Sequence, residues 1–161
     1  MPSIQASTIN FIKQWEGFLS RAKWDYQRYA IGYGYDILDG ETIDGLPLLT
    51  STITTEQGGR LLERHLRTRI RWKRWVGVEQ ILAGSCQAAL TQDQFDALVD
   101  YCYGGIFSQV KDTIKAINKH ASNVFAGEAE IRAAWTGPIT ATDARTGQRT
   151  ILTGLVARRK A

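Results

Sequence analysis

Residues 16–35 read EGFLSRAKWDYQRYAIGYGY, and the organisation of the whole chain follows from them. An acid and a glycine open the stretch, a second acid follows nine residues later at Asp25, and aromatic and small residues then alternate to Tyr35. Upstream, Ile9, Ile12 and Glu16 are spaced i, i+3, i+7, which puts them on one face of a helix. That helix is expected to begin near Ser7 or Thr8 and to close at Gly17, a residue suited to a C-cap. Downstream, Tyr29, Ile31, Tyr33 and Tyr35 alternate with small residues. This predicts a short strand with the tyrosines on one face. Asp39-Gly40 and Asp44-Gly45 are turn signals. Residues 17–53 are therefore expected to form a small β-containing lobe set between helices.

Two later segments carry the reciprocal pattern of a capping box. Thr54-Thr55-Glu56-Gln57 opens a long helix through Leu61, Leu62, His65, Leu66 and Ile70, expected over residues 54–75. Gly58-Gly59 in its first turns weakens that helix. Thr91-Gln92-Asp93-Gln94 opens a second, with Phe95, Leu98, Val99 and Cys102 on an apolar face and Gly104-Gly105 at its end. Further helices are expected over residues 109–119, 128–135 and 155–160, and a loop or hairpin over 141–149. The long helix would join the small lobe to a helical lobe made of residues 7–16 and 76–161.

A chain of 161 residues is large enough to bury a core without metals or disulfides. Its 43% hydrophobic and 22% charged residues are ordinary for a globular domain. No apolar run approaches the roughly 20 residues that span a bilayer, and the N-terminus lacks the pattern of a secretory signal. Cys86 and Cys102 are too few for a disulfide framework and read as small packed hydrophobes.

The net charge of +4 is unevenly placed. Arg60, Arg64, Arg67, Arg69, Arg71, Lys73 and Arg74 face one nearby acid, Glu63, giving that run +6 and leaving −2 for the rest. Such a patch attracts polyanions, an anionic envelope among them; its bland reading is a solvated helix face. Trp72 and Trp75 are expected chiefly to anchor the helix, and nucleic acid is not expected as a partner. His65 and His120 stand apart from any cluster with metal-ligand spacing, and no phosphate loop or nucleophile elbow is present. No cofactor and no metal are implied, and a monomer is expected.

The strongest chemical signal is the pair Glu16 and Asp25. A carboxyl on an apolar face is desolvated and held toward its protonated form, while one among turns and water keeps its charge. Glycoside hydrolysis uses that difference: one group donates a proton to the leaving oxygen, the other stays ionised. The alternative is a partly buried Glu16 paired with a base.

Glu16-Gly17, Trp24-Asp25 and Ala30-Ile31-Gly32-Tyr33-Gly34-Tyr35 resemble the N-terminal signature of the phage-type lysozymes, glycoside hydrolase family 24. Ile53 to Gln57, Leu90 to Tyr103, Trp135 and Gly154-Leu155-Val156-Ala157-Arg158-Arg159 match further blocks in order. The resemblance implies an α+β, predominantly helical fold of two lobes about a long helix. It implies a muramidase acting on bacterial peptidoglycan, with Glu16 as general acid and Asp25 as the carboxylate that holds the attacking water. A phage or prophage endolysin is implied, retained in the host cytoplasm until lysis and then acting at the cell wall. Tyr33 and Tyr35 become candidate substrate-binding or supporting residues, and Arg158 or Arg159 a candidate partner of Glu16.

Several positions depart from the family. Its third catalytic residue, a threonine, is Ala30 here, and the segment from Asp25 to that position is one residue shorter. Its histidine is Tyr35, and its asparagine after the central helix is missing at Gly104 or Gly105. A group that fails to orient water loses rate. A murein-binding module with weak turnover and a lytic transglycosylase therefore stand as alternatives. Tyr29, Tyr33 and Tyr35 offer replacement hydroxyls, or pack against sugar or between the lobes.

Overall fold

The computed structural model describes residues 2–68, 82, 84–104, 107–135 and 140–151. Helix α1 (Ala6–Glu16) leads into a three-stranded antiparallel sheet in the order β1 (Leu19–Asp25), β2 (Arg28–Gly32), β3 (Tyr35–Asp36). A small hairpin of β4 (Thr42–Ile43) and β5 (Leu46–Pro47) follows, then α2 (Thr55–Thr68). Helices α3 (Gln92–Gly104), α4 (Phe107–Lys119) and α5 (Glu128–Trp135) come next, with a 3-10 turn at Val124–Gly127 before α5. A last hairpin pairs β6 (Thr140–Thr142) with β7 (Arg149–Ile151). The architecture is α+β and predominantly helical.

Both expected capping boxes form. The Thr54 amide donates to Gln57 Oε1 at 2.8 Å and the Gln57 amide to Thr54 Oγ1 at 3.1 Å. Thr91 and Gln94 repeat the exchange at 3.0 and 3.3 Å. These bonds satisfy amides that the first helical turn leaves without intrahelical partners. Helix α1 begins at Ala6, with no side-chain cap from Gln5. Asp44 and Gly45 adopt φ of 50° and 78° between β4 and β5, the left-handed pair that a tight two-residue hairpin requires.

Two apolar clusters hold the chain together. One lies under the sheet and includes Ile31, Tyr35, Ile37, Ile43, Leu48 and Leu61. The other gathers Ile9, Ile12, Leu62, Leu66, Phe95 and Val99 between the helices. Neighbouring residues of α2 thus enter different clusters, because successive helical side chains diverge by about 100°. The Gly58-Gly59 pair is explained by the same contact. A methyl on Gly58 would lie 2.7 Å from the Phe18 ring and 3.3 Å from Gly32 Cα. The glycines weaken the helix but let the sheet and α1 abut it.

The strand expected through Tyr29, Ile31, Tyr33 and Tyr35 is instead two strands separated by a turn at Tyr33-Gly34. Gly32 ends β2 with a φ of 66°, and Gly34 follows with 82°, which cancels the period-2 placement. The three tyrosines consequently occupy different surroundings. The expected segment 141–149 is the β6–β7 hairpin, and α4 starts two residues before the expected position. The end of the long helix beyond Thr68, Trp72, Trp75, the basic residues from Arg69 to Arg74, and the expected helix over 155–160 lie outside the described residues.

Candidate active site

Glu16 is the last residue of α1 and is half-buried. Ile9 and Ile12 on the same helix are buried in the helical cluster, so their face carries Glu16 to the seam between the helices and the sheet. Gly17, with φ 66°, then redirects the chain into β1. A methyl on Gly34 would lie 3.2 Å from Glu16 Oε2 and 3.4 Å from Tyr103 Oη. The carboxylate and the phenol therefore converge on a backbone position that carries no side chain. Tyr103, buried near the end of α3, donates its hydroxyl to the Tyr33 carbonyl. That bond fixes the β2–β3 turn against the helices.

Asp25 ends β1 and is exposed. It pairs with Arg28 across the β1–β2 turn, whereas Leu19 pairs with Gly32 at the other end. Glu16 therefore sits at the base of this hairpin and Asp25 at its tip. Ala30 lies between, opposite Lys23 on one side and Asp36 on the other, and is only 4% exposed. Its position carries a buried methyl where the family has a hydroxyl.

The tyrosines separate by role. Tyr35 is completely buried and donates to Glu41 Oε1 at 2.9 Å. Its ring packs edge-on to His65 at 6.0 Å, and His65 in turn packs edge-on to Tyr103 at 5.0 Å. Tyr35 thus lies inside the core, with His65 between its ring and that of Tyr103. Tyr33 is half-buried, 5.3 Å from the Phe18 ring, with Lys13 Nζ 5.5 Å from its own ring centre. Tyr29 is exposed on β2. Arg158 and Arg159 lie outside the described residues.

Tyr103 and Gly34 both stand in blocks that resemble the family, yet the sequence singles out neither as a site residue. Tyr103 closes the block Leu90 to Tyr103, but it lies 70 residues from the carbonyl it binds. The missing family asparagine at Gly104 or Gly105 was the one nearby signal. His65 looked isolated because its ring partners come from β3 and α3.

Among the described residues, no group of three or more His, Cys, Asp or Glu is placed to hold a metal. Both cysteines are free, and burial pushes the Cys102 thiol up to about 12, so it is protonated and inert near neutrality. In the basic run, Arg60 pairs with Asp44 and Arg64 donates to the Thr42 carbonyl at 3.5 Å. These two arginines turn back onto the acidic small hairpin. No described helix is long and apolar enough to cross a membrane.

The family model for phage lysozymes matches residues 13–161. The muramidase domain of SpmX from Asticaccaulis excentricus is similar at 23% identity and a TM-score of 0.67, over 99% of this chain and 94% of that one. The endolysin of the Escherichia coli O157:H7 phage FAHEc1 is similar at 26% and 0.62, over 98% and 89%. A P22 lysozyme mutant is similar at 23% and 0.64, over 99% and 94%. No curated protein matches the chain. The fold is that of the lysozymes.

Proposed function

Since the chain belongs to the phage lysozyme family, we propose that it is a muramidase that hydrolyses peptidoglycan between N-acetylmuramic acid and N-acetylglucosamine. The observation that carries this reading is the contrast between its two carboxylates. Glu16 is half-buried against Gly34 at the base of the hairpin, and Asp25 is exposed at the tip. A proton donor benefits from partial desolvation, and a water-activating carboxylate from solvent.

In the proposed reaction Glu16 gives its proton to the glycosidic oxygen as the C1–O bond breaks. Water, held and deprotonated with the help of Asp25, adds to C1 from the opposite face. A group at the opposite end of the hairpin leaves room for that water, which favours inversion over a covalent sugar intermediate. Tyr33 is proposed to line the substrate path, and Tyr35 to support the site through Glu41 and His65. One of Arg158 and Arg159 is proposed to partner Glu16. The biological role proposed is that of an endolysin, held in the host cytoplasm until lysis and then acting on the wall as a monomer. The basic run from Arg60 to Arg74 would assist attraction to the anionic envelope.

Ala30 favours a second reading, in which the fold binds murein with little turnover or uses the sugar's own hydroxyl in place of water. Mass spectrometry of fragments released from purified peptidoglycan separates these. Reducing muramic acid ends are expected, and Glu16→Gln is expected to lower their release by at least ~100-fold without unfolding. Anhydro ends would reassign the protein as a transglycosylase. Retention on murein without release would make it a binding module, and full activity in folded Glu16→Gln would remove Glu16 from the mechanism.

A further inference from the structure

The turn joining β6 to β7 rests on the tip of the β1–β2 hairpin. The Ala144 amide donates to the Tyr26 carbonyl at 2.6 Å. The Arg145 guanidinium lies 3.6 Å from the centre of the Trp24 ring and donates to Tyr29 Oη at 3.1 Å. Trp24 Nε1 donates to Asp143 Oδ2 at 3.4 Å. Trp24 and Tyr29 are themselves cross-strand partners, with rings edge-on at 5.4 Å. The contacts therefore take hold of both strands and the turn, on the residues before and after Asp25.

The loop that makes these contacts is preformed. Asp143 Oδ1 accepts the amides of Arg145 at 2.7 Å and Thr146 at 3.0 Å. The Asp143 amide donates to the Gln148 carbonyl at 2.9 Å, and the Gly147 amide to the Asp143 carbonyl at 2.8 Å. The hairpin it grips is less secure. Tyr26 has a φ of 47° in the turn, a left-handed conformation that non-glycine residues rarely adopt, and a two-stranded tip has little stability of its own. A guanidinium over an indole gives a directional hold that an aliphatic contact does not.

We propose that the β6–β7 loop is a clasp whose Arg145 positions the β1–β2 tip, and through it Asp25, for attack by water. The proposal rests on the muramidase reading above. Arg145 is a positioning residue, since it acts through Trp24 and Tyr29. Loss of the clasp lets Asp25 wander, and misorientation of that kind lowers turnover rather than ground-state binding.

The test follows hydrolysis of soluble, uncross-linked peptidoglycan strands by the full chain, alongside amide exchange over residues 24–30. Arg145→Ala is expected to lower kcat roughly tenfold with KM within about twofold, and to speed exchange over 24–30 while leaving α1 and α3 unchanged. Arg145→Lys, which keeps the charge without the planar fork, is expected to recover part of both. Arg132→Ala, which removes an exposed arginine of α5, controls for charge and is expected to leave kcat unaltered. Unchanged exchange in Arg145→Ala overturns the clasp. Faster exchange with unchanged kcat, or a rise in KM alone, overturns the positioning role. Wild-type protein that releases nothing overturns the muramidase reading itself and this role with it. Release by wild type and Arg145→Ala alike overturns the clasp's role only.

Discussion

The two ends of the β1–β2 hairpin are held in different ways. At the base, Glu16 stands beside a glycine backbone and the hydroxyl of a tyrosine buried among the helices. At the tip, Asp25 is exposed, and its neighbours are gripped by a loop through a cation–π contact and hydrogen bonds. The base draws its rigidity from the core, where close packing leaves few alternatives. The tip draws it from surface contacts, which are weaker and easier to tune. Under the proposed mechanism, the base would carry the proton donor and the tip the carboxylate that activates water.

The largest effect expected from disturbing the base comes from Gly34→Ala. The new methyl would meet Glu16 Oε2 at 3.2 Å and Tyr103 Oη at 3.4 Å at a φ of 82°. The backbone alone costs about 1–2 kcal/mol, and displacement of the carboxylate should lower muropeptide release by roughly 100-fold. Urea unfolding together with product release measures both. Wild-type activity in this variant would show that the base tolerates movement and would erase the contrast.

Tyr103→Phe should be milder. It removes the donor to the Tyr33 carbonyl and is expected to cost about 1–2 kcal/mol in urea unfolding, with a few-fold loss of release. An equal loss of stability in urea unfolding from Arg145→Ala at the tip would mean that the two ends are not held differently.

The smallest effect should appear at the tip as pH falls. The Asp143 carboxyl is held below its ordinary 3.8, first by the Arg145 amide and then by the Thr146 amide, with desolvation opposing and the Trp24 indole adding to the lowering. Because folding lowers this pKa, the stabilisation is complete above the unfolded value and is lost as pH falls through the folded one. Exchange of the Ala144 amide, corrected for intrinsic rate, should therefore quicken below about pH 4 before the helices respond. Asp143→Asn should remove that pH dependence, and exchange that rises in step with global unfolding would count against a separately held tip.

Local devices were legible in the sequence. The capping residues Thr54, Gln57, Thr91 and Gln94 and the Asp44-Gly45 turn act within four residues of themselves, so no distant part of the chain can alter their meaning. The face of α1 that carries Glu16 follows from helical spacing in the same way. The tyrosines were not legible, because positive-φ glycines at positions 32 and 34 divide the strand on which their alternation depended. Gly58 and Gly59 read as flaws in a helix until Phe18 and Gly32 were seen against Gly58.

The sequence by itself determined the helices, the turns, the pair of candidate carboxylates and the resemblance that the family match supports. These depend on short-range hydrogen bonding, backbone freedom and side-chain periodicity. The tertiary structure alone decided that Tyr103 reaches across 70 residues to the turn beside Glu16, and that Asp143 reaches across 119 to Trp24. Such pairings arise when apolar faces pack and bring polar groups together, and spacing along the chain carries no record of that choice.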